Sequence, residues 1–162
     1  MAGQRQPQRT PFGKPQEALA VYEKAAQADA SDSAVFLVMG EIERELADPA
    51  KAVECFRRGL QRNPKSLELE RGLALALLES GRYAESRQAA EDSIPLAGNA
   101  AAFQMVQVAR AAIALRDKKD ALVWLRRAAD SGYKDRHYLT DDKYLAALRD
   151  NGDFKKLLLR MP

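Results

Sequence analysis

The amino-acid sequence predicts an all-α fold made of stacked antiparallel helix pairs. Small residues recur in the 162-residue chain in steps of 34, 34 and 35, at Ala18, Ala52, Ser86 and Ala121. Bulky residues follow three of these positions four places later, at Tyr22, Phe56 and Leu125. A single helix pair cannot bury its apolar face alone, so this period indicates neighbouring pairs that bury it by stacking.

Composition and charge argue against membrane and nucleic-acid partners. The longest apolar run, residues 73–78, is far shorter than the roughly 20 residues of a membrane span. Residues 1–15 hold 3 of the 26 basic residues and no acid, which leaves 23 basic against 23 acidic residues elsewhere. Nucleic-acid binders concentrate basic charge on one face, so we expect none here. The single cysteine, Cys55, fits a reducing and therefore cytoplasmic compartment.

The first elements are a leader and half a repeat. Residues 1–14 contain Pro7 and Pro11 and have no helical periodicity, which predicts a flexible leader. Residues 15–28 follow helical spacing, and Pro15 suits a first turn because its missing N–H is harmless there. This helix, within a half repeat over residues 15–30, is predicted to be the second helix of a pair whose first is missing.

Three helix pairs follow, in repeats over residues 33–66, 67–100 and 101–132. The first pair is predicted at 34–46 and 50–62, where Pro64 stops it. The second is predicted at 67–79 and 83 to about 94, with a turn at Gly81 and an end at Pro95 and Gly98. The third is predicted at 100–115 and 119–129, with Gly132 closing it.

Residues 133–162 predict helices that cap the stack. One amphipathic helix is expected over Tyr138, Leu139, Tyr144, Leu145 and Leu148, ending at Asn151 and Gly152. Asp153 is expected to cap a last short helix that holds Phe154, Leu157 and Leu158. A stack of helix pairs leaves its last apolar face open, and these helices are placed to cover it.

The repeat resembles the tetratricopeptide repeat family. That family favours small residues at three positions of its unit, and all nine equivalents are small here, at Gly40, Ala74, Ala109, Ala52, Ser86, Ala121, Gly59, Ser93 and Ala128. The resemblance implies a right-handed superhelix with a concave inner wall, over about residues 13–132. The last segment is similar to that closing many bacterial tetratricopeptide proteins. Glu43, Glu70 and Ala90 depart from the pattern, since each stands where the family favours a bulky apolar residue.

No residue pattern supports catalysis, a cofactor or a metal site. His137 is the only histidine, which excludes sites built on several His ligands. Cys55 lies midway along a predicted helix, where packing is a better explanation than a reactive thiol. The pair Asp141 and Asp142 is interpreted as a helix-start signal. We therefore do not expect an enzyme.

The resemblance implies that the functional surface is the concave groove. Its lining positions in the first helix of each pair include here Leu37, Glu41, Arg44, Glu68, Arg71, Leu75, Leu78, Phe103, Val106, Arg110 and Ile113. The apolar members suit apolar anchors, and Arg71 and Arg110 suit a carboxylate or backbone carbonyls. The Lys and Asn clamp of chaperone-tail binders is absent, because Leu37 and Glu41 stand at its positions.

Three functions remain open, the first being a noncatalytic adaptor that binds a peptide or partner segment in the groove. The second is a bacterial secretion-type chaperone for an export substrate, whose build is similar. The third is a regulatory or docking region cut from a larger enzyme, because the chain starts with a lone second helix.

The half repeat also predicts weak self-association. Its missing first helix is expected to leave Leu19, Tyr22, Val35 and Phe36 without cover. A second copy of the chain, or the leader, is expected to cover this face.

Overall fold

The computed structural model describes residues 13–29 and 31–161, and the fold there is all-α, with no strand. The predicted leader lies mostly outside the described residues. Nine α-helices occur in the described ranges: α1 Pro15–Ala28, α2 Ser33–Glu45, α3 Pro49–Arg62, α4 Leu67–Glu79, α5 Tyr83–Ala97, α6 Ala102–Ala114, α7 Lys118–Asp130, α8 Arg136–Asp141 and α9 Gly152–Arg160. Short 3₁₀ turns lie at Gly98–Ala100 and Ala146–Leu148.

Consecutive helices from α1 to α7 pack against one another, so the chain forms a stack of antiparallel pairs. The first helices of the pairs, α2, α4 and α6, also contact each other in order, α2 with α4 and α4 with α6. These three helices therefore form one continuous layer of the stack, and α3, α5 and α7 form the other.

Side-chain caps and one recurrent turn set the helix ends. Asp48, Ser66 and Asp117 each accept a hydrogen bond from a backbone N–H in the first turn of the helix that follows. Inside each pair the chain reverses through a residue with positive φ, at Ala47, Gly81 and Arg116. The same two backbone hydrogen bonds surround each of them, which is the Schellman pattern of a helix C-terminus.

The small residues mark close helix contacts, as predicted. All nine repeat positions are buried. A Cβ on Gly40 would lie 2.5 Å from Cε1 of Phe56, and one on Gly72 would lie 2.6 Å from the same atom. Because the Phe56 ring lies against both α2 and α4, a side chain at either position would have to displace that buried ring.

The N-terminal pairing is tighter than expected at Phe36. That side chain is 1% exposed and packs in a cluster with Ala26, Met39 and Cys55. The expectation that Phe36 lies open was wrong, because α1 and α3 together cover it. Leu19, Tyr22 and Val35 are only half-buried around this cluster.

The fifth helix passes the proline that was expected to end it. Helix α5 continues through Pro95 to Ala97, three residues beyond its predicted end near residue 94, and Gly98, the other residue expected to end it, is its C-cap. Proline removes one N–H and crowds the carbonyl four residues earlier. Because α5 ends two residues after Pro95, the missing hydrogen bond affects only the last turn of the helix.

The C-terminal segment differs most from prediction. The expected single helix is broken, because α8 ends at Asp141 and the buried Asp142 accepts a hydrogen bond from the Tyr144 N–H at 2.8 Å. Asp141 and Asp142 therefore end a helix, and their interpretation as a start signal was wrong. Asn151, not Asp153, caps α9 by accepting from two backbone N–H groups.

The segment nevertheless covers the apolar face of the last pair. Leu139, Leu145, Leu148, Phe154 and Leu157 are buried in one cluster with side chains of α6 and α7. This cluster closes the C-terminal end of the stack.

Candidate interaction groove

The layer formed by α2, α4 and α6 carries a half-open groove of about 380 Å³. Seven residues predicted from the sequence line it, namely Leu37, Glu41, Arg44, Glu68, Arg71, Leu75 and Phe103. Gly72 and Gln107 complete the lining. Three adjacent helices thus present one shared surface.

Helical spacing explains why these side chains converge. Leu37, Glu41 and Arg44 are separated by four and three residues, which places them on one face of α2. Glu68, Arg71 and Leu75 repeat the arrangement on α4, and Phe103 and Gln107 lie one turn apart on α6. Because small residues let these helices approach closely, the three faces form a continuous wall.

Arg44 donates its hydrogen bonds to carboxylates of the groove wall itself. Its Nε and Nη2 donate to the two carboxylate oxygens of Glu79 at 2.9 Å each, and its Nη1 donates to Glu41 at 2.8 Å. This forked pair joins α2 to α4, and the Arg44 side chain is only 20% exposed. Its donors are therefore largely occupied.

Arg71 has a different environment. Its guanidinium carbon lies 4.7 Å from the centroid of the Phe103 ring, in cation–π contact between α4 and α6. The side chain is exposed, and in residues 13–29 and 31–161 no carboxylate lies within ion-pair distance of it. The ring contact holds the guanidinium at the groove, and no hydrogen bond from Arg71 to another described residue is formed.

Comparison with known proteins establishes the family. The tetratricopeptide repeat family model matches residues 9–153. The chain belongs to the tetratricopeptide repeat family. Repeats of this family generally form noncatalytic scaffolds for protein–protein interaction, and a search of curated proteins found no match.

Solved structures of MamA share the fold of this repeat protein. One matches with a TM-score of 0.76 at 17% identity, covering 93% of this chain and 91% of that chain. The MamA RS-1 ArsTM double mutant matches with a TM-score of 0.75 at 20% identity, covering 91% and 81%. A third MamA structure gives 0.71 at 15% identity, covering 80% and 70%. At these identities the likeness concerns the fold alone, and it confirms the predicted superhelix of helix pairs.

Four predicted lining residues of the tetratricopeptide groove lie elsewhere. Leu78 and Val106 are 2% and 0% exposed, so both belong to the core. Ile113 is half-buried against the C-terminal cluster, and Arg110 is buried beside it. For the three residues on α6, the reason is that the segment after residue 132 packs against the helix from Val106 onwards, where the family pattern alone expects an open wall.

Arg110 anchors that C-terminal segment. Its Nε donates to the Asp142 carboxylate, and its Nη1 donates to Gln107 Oε1 at 2.9 Å. The guanidinium carbon also lies 5.2 Å from the Tyr138 ring centroid and 5.4 Å from that of Tyr144. Arg110 is therefore fully engaged within the chain, and the prediction that it lines the groove was wrong.

Two lining residues were absent from the sequence prediction. Gln107 lies one turn after Phe103, so helical spacing from Phe103 was the signal that pointed to it. Gly72 carries no side chain to suggest a role, and it lines the groove because α4 approaches Phe56 too closely for any larger residue.

The Cys55 thiol of this repeat protein is buried in a cluster with side chains of α1 and α2. Burial raises the pKa of Cys55 to about 11, so the thiol stays protonated at neutral pH. Within the described residues, no three His, Cys, Asp or Glu side chains are grouped as metal ligands. No helix there has the length and apolar character required to span a membrane.

Proposed function

We propose that the groove binds an extended or helical peptide segment of a partner protein. The observation that carries the proposal is the combination of an apolar floor and one oriented cation. Leu37, Leu75 and Phe103 offer apolar surface to an anchor side chain, and Arg71 stands above Phe103 at the edge of that surface.

The two groove arginines differ in whether their charge is balanced within the chain. Arg44 closes the α2–α4 contact through Glu79 and Glu41, so its charge is balanced within the chain. The planar fork of Arg71 matches a carboxylate or two backbone carbonyls of a bound segment. A peptide with an apolar residue beside an acidic one is the expected ligand.

A selected-peptide experiment tests this function. Peptides are selected from a displayed random library on the full chain, and their affinities are then measured by fluorescence anisotropy. Arg71→Glu should weaken binding by about tenfold or more, because it replaces an attraction with a repulsion inside the groove. Its helical circular dichroism should stay unchanged, since Arg71 is exposed.

Arg62→Glu is the matched control. Arg62 is an exposed arginine at the end of α3, outside the groove lining, and the substitution makes the same change in net charge. It should leave affinity within about twofold. Equal affinities of Arg71→Glu and the original chain would refute the proposal, as would selection of peptides that Arg62→Glu weakens equally.

The N-terminal end offers a second contact surface. We propose that α1 supports weak self-association, because its outer side carries Val21 at 63% exposure. This surface lies on a helix that does not contribute to the groove lining.

A further inference from the structure

Helix α1 corresponds to the second helix of a pair, and the described residues contain no helix before it. Val21 is 63% exposed, whereas the residues one and two repeats later, Cys55 and Ala89, are 7% and 5% exposed. The same contrast holds at the neighbouring small and bulky positions. Ala18, Tyr22 and Ala25 are half-buried, while their equivalents in α3, α5 and α7 are buried, at Ala52, Ser86, Ala121, Phe56, Ala90, Leu125, Gly59, Ser93 and Ala128.

The uncovered surface of α1 has the shape of a helix-packing face. Ala18, Val21, Ala25 and Ala28 recur at intervals of three and four residues, so they form one stripe along the helix. Small side chains in such a stripe allow another helix to approach closely. The stripe lies beside the face of α1 that carries Leu19, Tyr22 and Ala26, which pack in a cluster with side chains of α2.

Two opposite charges flank this stripe on the same edge. Glu17 and Lys24 are seven residues apart, which brings them to nearly the same angular position on the helix. Both side chains are exposed. Within the part of the chain that the structure describes, Glu17 forms an ion pair with the exposed Lys14 at 2.8 Å, and such surface pairs exchange readily.

We propose that α1 pairs antiparallel with α1 of a second copy of this chain. In an antiparallel helix pair each edge meets the same edge of its partner, so Glu17 of each copy faces Lys24 of the other. In a parallel arrangement, the edge that carries Glu17 and Lys24 would meet the opposite edge of the partner helix. Both Glu17–Lys24 ion pairs would then be lost. The charge pattern is thus complementary to itself in one orientation, which favours a second copy over an unrelated helix.

The size of the face sets the strength of this contact. Helix α1 has 14 residues, which corresponds to a length of about 21 Å. One helix pair of that length with mainly alanine side chains buries less surface than a stable dimer needs. The expected dimer is therefore weak and depends on protein concentration.

Sedimentation velocity of the full chain tests the pairing between about 5 and about 500 µM. The original chain should shift from monomer towards dimer over this range. Glu17→Lys and Lys24→Glu should each weaken dimerisation by about tenfold, because each change places like charges opposite one another twice per dimer. The double variant Glu17→Lys with Lys24→Glu restores both opposite-charge pairs and should return the original dimerisation.

Two further variants distinguish α1 from the rest of the surface. Val21→Lys should abolish dimerisation, while Leu159→Lys, at a residue 81% exposed on α9, should leave it unchanged. A chain that stays monomeric throughout, or a Val21→Lys variant that still dimerises, overturns the proposal. If the double variant Glu17→Lys with Lys24→Glu does not recover dimerisation, the antiparallel geometry is overturned. Peptide binding in the groove is measured separately, so neither result decides the other.

Discussion

At the scale of single residues, the repeat depends on side chains that are too small to separate the helices. Ala52 is 0% exposed and lies in a cluster with Phe56, Leu73 and Ala74. Ala52→Leu should lower the free energy of unfolding by about 1–3 kcal/mol, because the added carbons have no space to occupy. Urea denaturation followed by circular dichroism measures the change. Ala50→Leu, at an exposed position of the same helix, is the control and should change stability by less than about 0.5 kcal/mol. Equal stabilities of the two variants would contradict the close contact at Ala52.

The same scale shows where residue patterns succeed and where they fail. The nine small positions were predictable, because close approach between helices admits few residue types. Glu43 stands where the family favours a bulky apolar residue, yet it is buried at 6% exposure and burial raises its pKa. The pattern identified this position as a departure, but the packing of α1 and α3 around it depends on three-dimensional contacts that no local pattern contains.

At the scale of elements, the recurrent turn inside each helix pair carries unequal strain. Gly81 has φ +78° and suits the left-handed conformation, whereas Ala47 at +60° and Arg116 at +66° adopt it with a side chain. Ala47→Gly and Arg116→Gly should each raise the free energy of unfolding by about 0.5–1 kcal/mol. Thermal unfolding followed by circular dichroism measures the gain, and Gly81→Ala is the reciprocal control that should lose a similar amount. A loss of stability in both glycine variants would show that strain at the turn is not limiting.

Element boundaries were predictable where a cap or a turn residue acts locally. Helices α1 and α4 have the predicted limits, since Pro15 starts one and Ser66 caps the other. The end of α5 and the break after α8 were not predictable from local residues, because each reflects a balance between a local stop signal and packing against distant residues. Asp142 breaks the expected C-terminal helix through its buried pair with Arg110, which is 32 residues earlier. Sequence spacing alone carries no sign of that contact.

At the scale of the whole molecule, the C-terminal segment decides how much of the inner wall is open. Family positions predicted the lining on α2 and most of that on α4, where each first helix has the next one beside it. They failed beyond Phe103 on α6, because the segment after residue 132 folds over the remaining positions and buries them. The groove is therefore a product of the whole stack, including its closed end.

The buried Arg110–Asp142 pair allows a test of whether the C-terminal segment contributes to the stability of the stack. The Asp142 side chain is 1% exposed and that of Arg110 is 10% exposed, so loss of one charge leaves the other uncompensated in the core. Asp142→Asn should lower the free energy of unfolding by about 3 kcal/mol, while Asp141→Asn, at the exposed neighbour, should have little effect. Trp124 fluorescence reports whether the destabilisation extends beyond the C-terminal segment, because Trp124 packs against both the central and the C-terminal clusters. Since stacked pairs stabilise their neighbours, Trp124 fluorescence and circular dichroism should both shift to lower urea in Asp142→Asn. If only the C-terminal residues became protease-sensitive while both transitions stayed in place, the segment would be an appendage and not part of the cooperative stack.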